Sequence, residues 1–124
     1  MSGTTPITRF GDTLIVTVRE ALHDAAATEL QEEITDMLER SQPAALLIDV
    51  SVLDVVDSFM GRLLNDIAAM ARLMGARTVI AGIRPQVAIT LIELGLRLRG
   101  VETVLSVEQG LARLGHRNGT RRGR

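Results

Sequence analysis

The sequence predicts an α/β domain built on a mixed, mainly parallel sheet of about five strands, entered through an N-terminal hairpin and accompanied by four helices. Three observations point there. Residues 7–10 and 13–19 are β-branched and alternating, with the turn-forming pair Gly11-Asp12 between them. Residues 44–50 read Ala-Ala-Leu-Leu-Ile-Asp-Val, a short continuous apolar run of the kind buried on both faces in the middle of a sheet. After the hairpin, strand-like runs alternate with segments of helical period, an order that calls for parallel strands joined by right-handed crossovers.

Each element follows in turn. From Asp24 to Ser41, Ala27, Leu30, Ile34, Met37 and Leu38 recur at helical spacing, while Glu29, Glu32, Glu33, Asp36 and Glu39 occupy the rest of the wheel. This is an amphipathic helix with a solvated acidic face, with Asp24 expected as its N-cap and Pro43 soon after its end. Asp49, near the end of the apolar run, is either a brace hydrogen-bonded to loop amides or part of a site. A second helix runs from Ser58 to Gly75, with Leu63, Leu64, Ile67, Met70, Ala71 and Met74 on one face and Gly75 at the left-handed closing position. Residues 77–81 are a strand, and Gly82-Ile83-Arg84-Pro85 turns into a third helix with Val87, Ala88, Leu91, Ile92 and Leu94 as its expected core face. Residues 101–105 form the last strand, and a short helix over 107–114 closes the fold. The domain is expected to occupy residues 1–114, with 115–124 as a basic, disordered tail.

Composition removes whole classes of function. The 124 residues include no cysteine, which excludes a disulfide framework, a thiolate nucleophile and a Cys-ligated zinc. All fourteen basic residues are arginine, so there is no lysine for a P-loop, a Schiff base or a receiver-type phosphoacceptor site. The two histidines, His23 and His116, are far apart in sequence, which disfavours a histidine metal site. Four of the arginines fall in 115–124, where there is no acid, so the net charge of −1 conceals an acidic body and a basic tail. With only Phe10 and Phe59 as aromatics, no stacking platform for nucleic acid can be built. No run is apolar and long enough to cross a membrane, and a cytoplasmic location is expected.

The stretch Leu53-Asp54-Val55-Val56-Asp57-Ser58-Phe59-Met60-Gly61-Arg62 concentrates the chemistry. Ser58 opens a helix, where a serine hydroxyl ordinarily caps free amides and contributes about 1 kcal/mol. A phosphate there would meet the positive end of the helix dipole and add about −1.5 to −2 charges beside Asp54 and Asp57. Such a change would repel an acidic partner or block one packed against Phe59 and Met60. Ligands gather at the carboxyl ends of parallel strands, so the loops at 51–58 and 82–85 should share one end and bring Arg84 near Ser58. Two further readings stand beside this one. Ser58 could be a nucleophile, although no histidine or lysine is near it in sequence. Asp49, Asp54 and Asp57 could gather a hard cation such as Mg²⁺.

These residues carry a resemblance. Asp49-Val50-Ser51 and Val56-Asp57-Ser58, within this order of elements, resemble the STAS domains of anti-sigma factor antagonists, whose serine at the head of this helix is phosphorylated. The block at 53–62, with Asn65-Asp66, the run Met70-Ala71-Arg72-Leu73-Met74-Gly75, Gly82-Ile83-Arg84-Pro85 and Leu94-Gly95, is similar to the RsbS-type family, the single-domain STAS scaffold subunits of the bacterial stressosome. The resemblance runs from about residue 7 to 114. It implies a non-enzymatic STAS fold without cofactor or metal that forms homo- and hetero-oligomers with RsbR-type STAS scaffold proteins and holds an RsbT-type serine kinase. It further implies that this kinase phosphorylates Ser58 and is released, and that an RsbX-type phosphatase resets the serine. Thr90 lies near a region where RsbR-type relatives carry a phosphothreonine, although an ordinary helix threonine is the better reading of it. Asp54, Asp57, Phe59, Met60 and Arg84 are then expected to form the partner surface around the switch. A direct anti-sigma factor antagonist, binding an anti-sigma kinase as a small dimer, is the alternative within the same fold.

Overall fold

A computed structural model describes residues 6–115. Five strands and four helices follow in the order β1 (Ile7–Phe10), β2 (Thr13–Thr17), α1 (Asp24–Ser41), β3 (Ala45–Asp49), α2 (Ser58–Leu73), β4 (Arg77–Ala81), α3 (Pro85–Glu93), β5 (Glu102–Val104) and α4 (Val107–Arg113). The strands lie side by side in chain order, β1 antiparallel to β2 and every later pair parallel. The predicted architecture is therefore the one observed. All but the first residue of the tail at 115–124 lies outside the described residues.

Alternation along each strand sends side chains to opposite faces of the sheet. Leu14, Val16, Leu46, Ile48 and Ile80 face α1, α2 and α3 in one large buried cluster. Leu47, Val79, Ala81 and Val104 face the other way, where α4 supplies Val107 and Leu111. The continuous apolar run of β3 is explained by this arrangement: it lies between β2 and β4 and is covered on both faces.

Several local expectations are corrected. The second strand ends at Thr17 rather than residue 19, although Val18 still donates its N–H to the Asp49 carbonyl at 2.9 Å. The last strand is Glu102–Val104, shorter than 101–105. Asp24 is not the cap of α1; His23 occupies that position without a side-chain cap bond, and Asp24 sits at φ 49°. On α3 only Val87 and Leu91 are buried, whereas Ile92 is 75% and Leu94 43% exposed. A nine-residue helix presents a single narrow stripe to its neighbour, and Leu96 from the following turn packs beside Leu91 against Gly61. Gly75 does close α2, at φ 89°, with the Ala76 N–H donating back to the Ala71 carbonyl at 2.9 Å.

Candidate functional site around Ser58

Three loops meet at the carboxyl end of the parallel strands: β3 to α2, β4 to α3, and β2 to α1. The first is pinned by Leu53 and Val56, which are buried, while Val52 and Val55 between them are exposed. At its start the Asp49 carboxylate accepts a hydrogen bond from the Ser51 N–H at 3.0 Å, so Asp49 acts as a brace for the turn. The second loop is held against it. Arg84 Nε donates to the Ser51 carbonyl at 2.8 Å, and Gly82, at φ 83°, lies so near Ser51 that a Cβ on it would fall 2.7 Å from the Ser51 Cβ. Arg84 thus sits at the expected end of the molecule, with its contact on Ser51, seven residues ahead of Ser58 in the chain.

Ser58 is not the N-cap of α2. Asp57, with extended backbone at φ −117° and ψ −178°, holds that position, and its Oδ1 accepts from the Met60 N–H at 2.9 Å. Both residue types cap well, and the one whose backbone is still extended takes the role. Ser58 is therefore the first helical residue, half-buried, and its hydroxyl makes no hydrogen bond among the described residues. The first intrahelical bond runs from the Gly61 N–H to the Asp57 carbonyl at 2.9 Å. With Met60 already capped, the amides of Ser58 and Phe59 are left at the open end of the helix, where the dipole favours negative charge.

The other oxygen of Asp57 engages a residue that sequence spacing did not bring to the site. His23, at the entry to α1, places Nε2 3.1 Å from Asp57 Oδ2, and its ring packs on Phe59 with centroids 5.2 Å apart at 30°. The Met60 amide first, and His23 second, hold the Asp57 carboxyl below its ordinary pKa. An ionised carboxylate only accepts, so in this bond Nε2 carries the proton and donates it. No linear motif signals this pairing, because the two residues are 34 positions apart.

The remaining expected residues divide. Phe59 is 38% exposed and borders a groove of about 260 Å³ between α1 and α2, lined also by Gln31, Arg62, Leu63 and Asp66. Asp54 is exposed at the surface of the loop. Met60, expected on the partner surface, is instead fully buried, with its sulfur accepting from the Leu22 N–H at 3.4 Å. The spacing Met60, Leu63, Leu64, Ile67, Ala71 already carried that signal, since all five share the buried face of α2. Thr90 lies within α3, where its hydroxyl donates to the Gln86 carbonyl at 2.9 Å.

This geometry also bears on the two other readings of the serine. Asp49 and Asp57 are committed to amides and to His23, and no group of three potential metal-binding side chains comes together among the described residues. A histidine does stand near Ser58, but its Nε2 is engaged by Asp57 and no hydrogen bond joins it to the Ser58 hydroxyl. What the arrangement offers is an unbonded hydroxyl at the positive end of a helix, flanked by one held carboxylate and one partly exposed aromatic ring.

The STAS domain model matches residues 5–110. A chain of a solved stressosome structure is 42% identical, covering 88% of this chain and 95% of that one, with a TM-score of 0.79. A point variant of RsbS from Moorella thermoacetica is 39% identical over 89% of this chain and 93% of its own, with a TM-score of 0.78. The RsbT co-antagonist protein RsbRA of Bacillus subtilis (strain 168) is 29% identical over 85 residues, 68% of this chain and 31% of its own length. The chain thus spans about a third of the length of the curated co-antagonists it matches. Among the described residues, no helix is long and apolar enough to cross a membrane.

Proposed function

The chain belongs to the STAS domain family, and from that premise we propose that it is a stressosome scaffold subunit that holds an RsbT-type serine kinase and releases it when Ser58 is phosphorylated. In this reading it has no catalytic activity of its own, acts in the cytoplasm, and co-assembles with RsbR-type STAS proteins. An RsbX-type phosphatase returns the serine to its unmodified form. The observation that carries the reading is the division of labour at the head of α2: Asp57 does the capping, so the Ser58 hydroxyl has no structural bond to lose when it reacts.

In the reaction the Ser58 Oγ forms a bond to the γ-phosphorus of ATP as the bond to the bridging oxygen breaks. ADP leaves, and the hydroxyl proton passes to a base on the kinase. The product places about two negative charges beside Asp57 and Asp54, next to Phe59 and the groove between α1 and α2. A partner seated over Phe59 would lose a neutral, partly apolar surface and face repulsion if its own contact is acidic. The support from relatives is the similarity to RsbS and to a stressosome chain over most of both lengths.

The test is phosphorylation by an RsbT-type kinase with ATP, read by intact-mass spectrometry. Wild type is expected to gain one phosphate and Ser58→Ala none, and gain of the same phosphate by Ser58→Ala would overturn the assignment.

A further inference from the structure

His23 touches both chain neighbours of Ser58 at once. Its Nε2–H donates to Asp57 Oδ2 at 3.1 Å, and its ring lies against Phe59 with centroids 5.2 Å apart. Asp57 is engaged twice, by the Met60 amide on Oδ1 and by His23 on Oδ2, so its carboxylate is held from within α2 and from the loop before α1. The His23 bond is not needed to bury apolar surface, for His23 and Asp57 are each about half exposed. An exposed pair of this kind adds little to stability by itself, and it stands at the serine whose state matters most.

We propose that His23 is the positioning residue of the Ser58 switch: it fixes residues 57 and 59 so that a phosphate on Ser58 arrives beside a restrained carboxylate and an N–H donor. This inference rests on the reading of Ser58 as the phosphorylated residue. Without His23, the second oxygen of Asp57 is unopposed beside the incoming phosphate, and the Phe59 ring loses the surface on which it is stacked. The charge added at Ser58 is then resisted by like charge at close range, on a carboxylate that no longer has the Nε2–H donor turned to its second oxygen. The same ring carries the change onward, because a shift of His23 toward the phosphate moves its stacking partner Phe59 at the rim of the groove between α1 and α2.

Two measurements decide the matter, and the first needs no kinase. In a double-mutant cycle the change in Tm caused by Ser58→Glu is measured in wild type and in His23→Ala. The change is expected to be more negative in His23→Ala by about 4 °C, and an equal or less negative change overturns the proposal. In the second, the RsbT-type kinase is given wild type, His23→Ala and His23→Gln, each first shown to be folded by circular dichroism. The initial rate of phosphate gain is expected to drop about fivefold in His23→Ala, with most of it restored in His23→Gln, whose side-chain N–H reaches the place of Nε2. Equal rates in all three, or equal slowing in Ala and Gln, overturn the positioning role. If wild type itself gains no phosphate on Ser58, the reading of function fails, and the cycle still decides the wiring of His23 to residue 58.

Discussion

Asp57 serves two elements through its two oxygens, and its ionisation is therefore linked to folding. The Met60 amide and His23 lower its pKa in the folded chain from the ordinary 3.8. A carboxyl with a depressed folded pKa contributes stability above the unfolded value, and that contribution is lost as the pH falls through the folded one. Asp57→Asn keeps an oxygen for the cap but carries no charge to titrate. From about pH 5 down to about pH 2, wild type is expected to lose Tm more steeply than Asp57→Asn; parallel curves would show that Asp57 is not linked to folding. At this scale the sequence was readable only in part. Asp57 and Ser58 are both capping types, and the choice between them was settled by which backbone remains extended, a quantity set by how the loop from Val50 to Val56 packs.

Between elements, two glycines show how loops and helices are brought together. Gly82 combines φ 83° with close approach to the Ser51 backbone, its hypothetical Cβ lying 2.9 Å from the Ser51 Cα. Neither the backbone nor that contact can yield locally. Gly82→Ala is expected to destabilise by roughly 2 kcal/mol or more and to loosen the loop that leads to Ser58. Gly61 differs, for its new Cβ would meet side-chain methyls of Leu96 and Leu91, and Leu96 is only half-buried at the end of a turn and can rotate away. In Gly61→Ala the gain in helix propensity offsets that crowding, so a change within about 1 kcal/mol is expected. Urea unfolding of both variants checks the contrast, and a smaller loss in Gly82→Ala than in Gly61→Ala would contradict it. Sequence placed both glycines correctly, at a turn and inside a helix. That one of them faces backbone and the other a movable side chain follows only from the docking of β3–α2 against β4–α3.

At the scale of the whole molecule the sheet divides the interior unequally. One face buries residues of β2, β3, β4, α1, α2 and α3 together, while the other is closed by the seven residues of α4 over Leu47, Val79, Ala81 and Val104. Local opening is easiest where the least apolar surface is exposed by it. Amides of α4 are therefore expected to exchange with deuterium well before those in the middle of α2, and protection of α4 equal to that of α2 would show that the two faces open as one unit. Ser58 stands on the better-buried side, at the head of a helix anchored by Met60, Leu64, Ile67 and Ala71, so that a charge placed on it would act at the surface of a well-anchored element.

The order and type of every element, the buried central strand Ala45–Asp49 within the run 44–50 and the serine at the head of α2 could all be read from the sequence, because period, apolar pattern and turn chemistry are local properties written in consecutive residues. Tertiary structure alone decided that Asp57 caps, that Ile92 stays in solvent, and that His23 reaches across 34 positions to hold the residues around Ser58. The reason is physical. A periodic pattern tells which face of a helix is apolar, but which side chains meet across two elements depends on how far each is shifted and turned when its apolar face is buried.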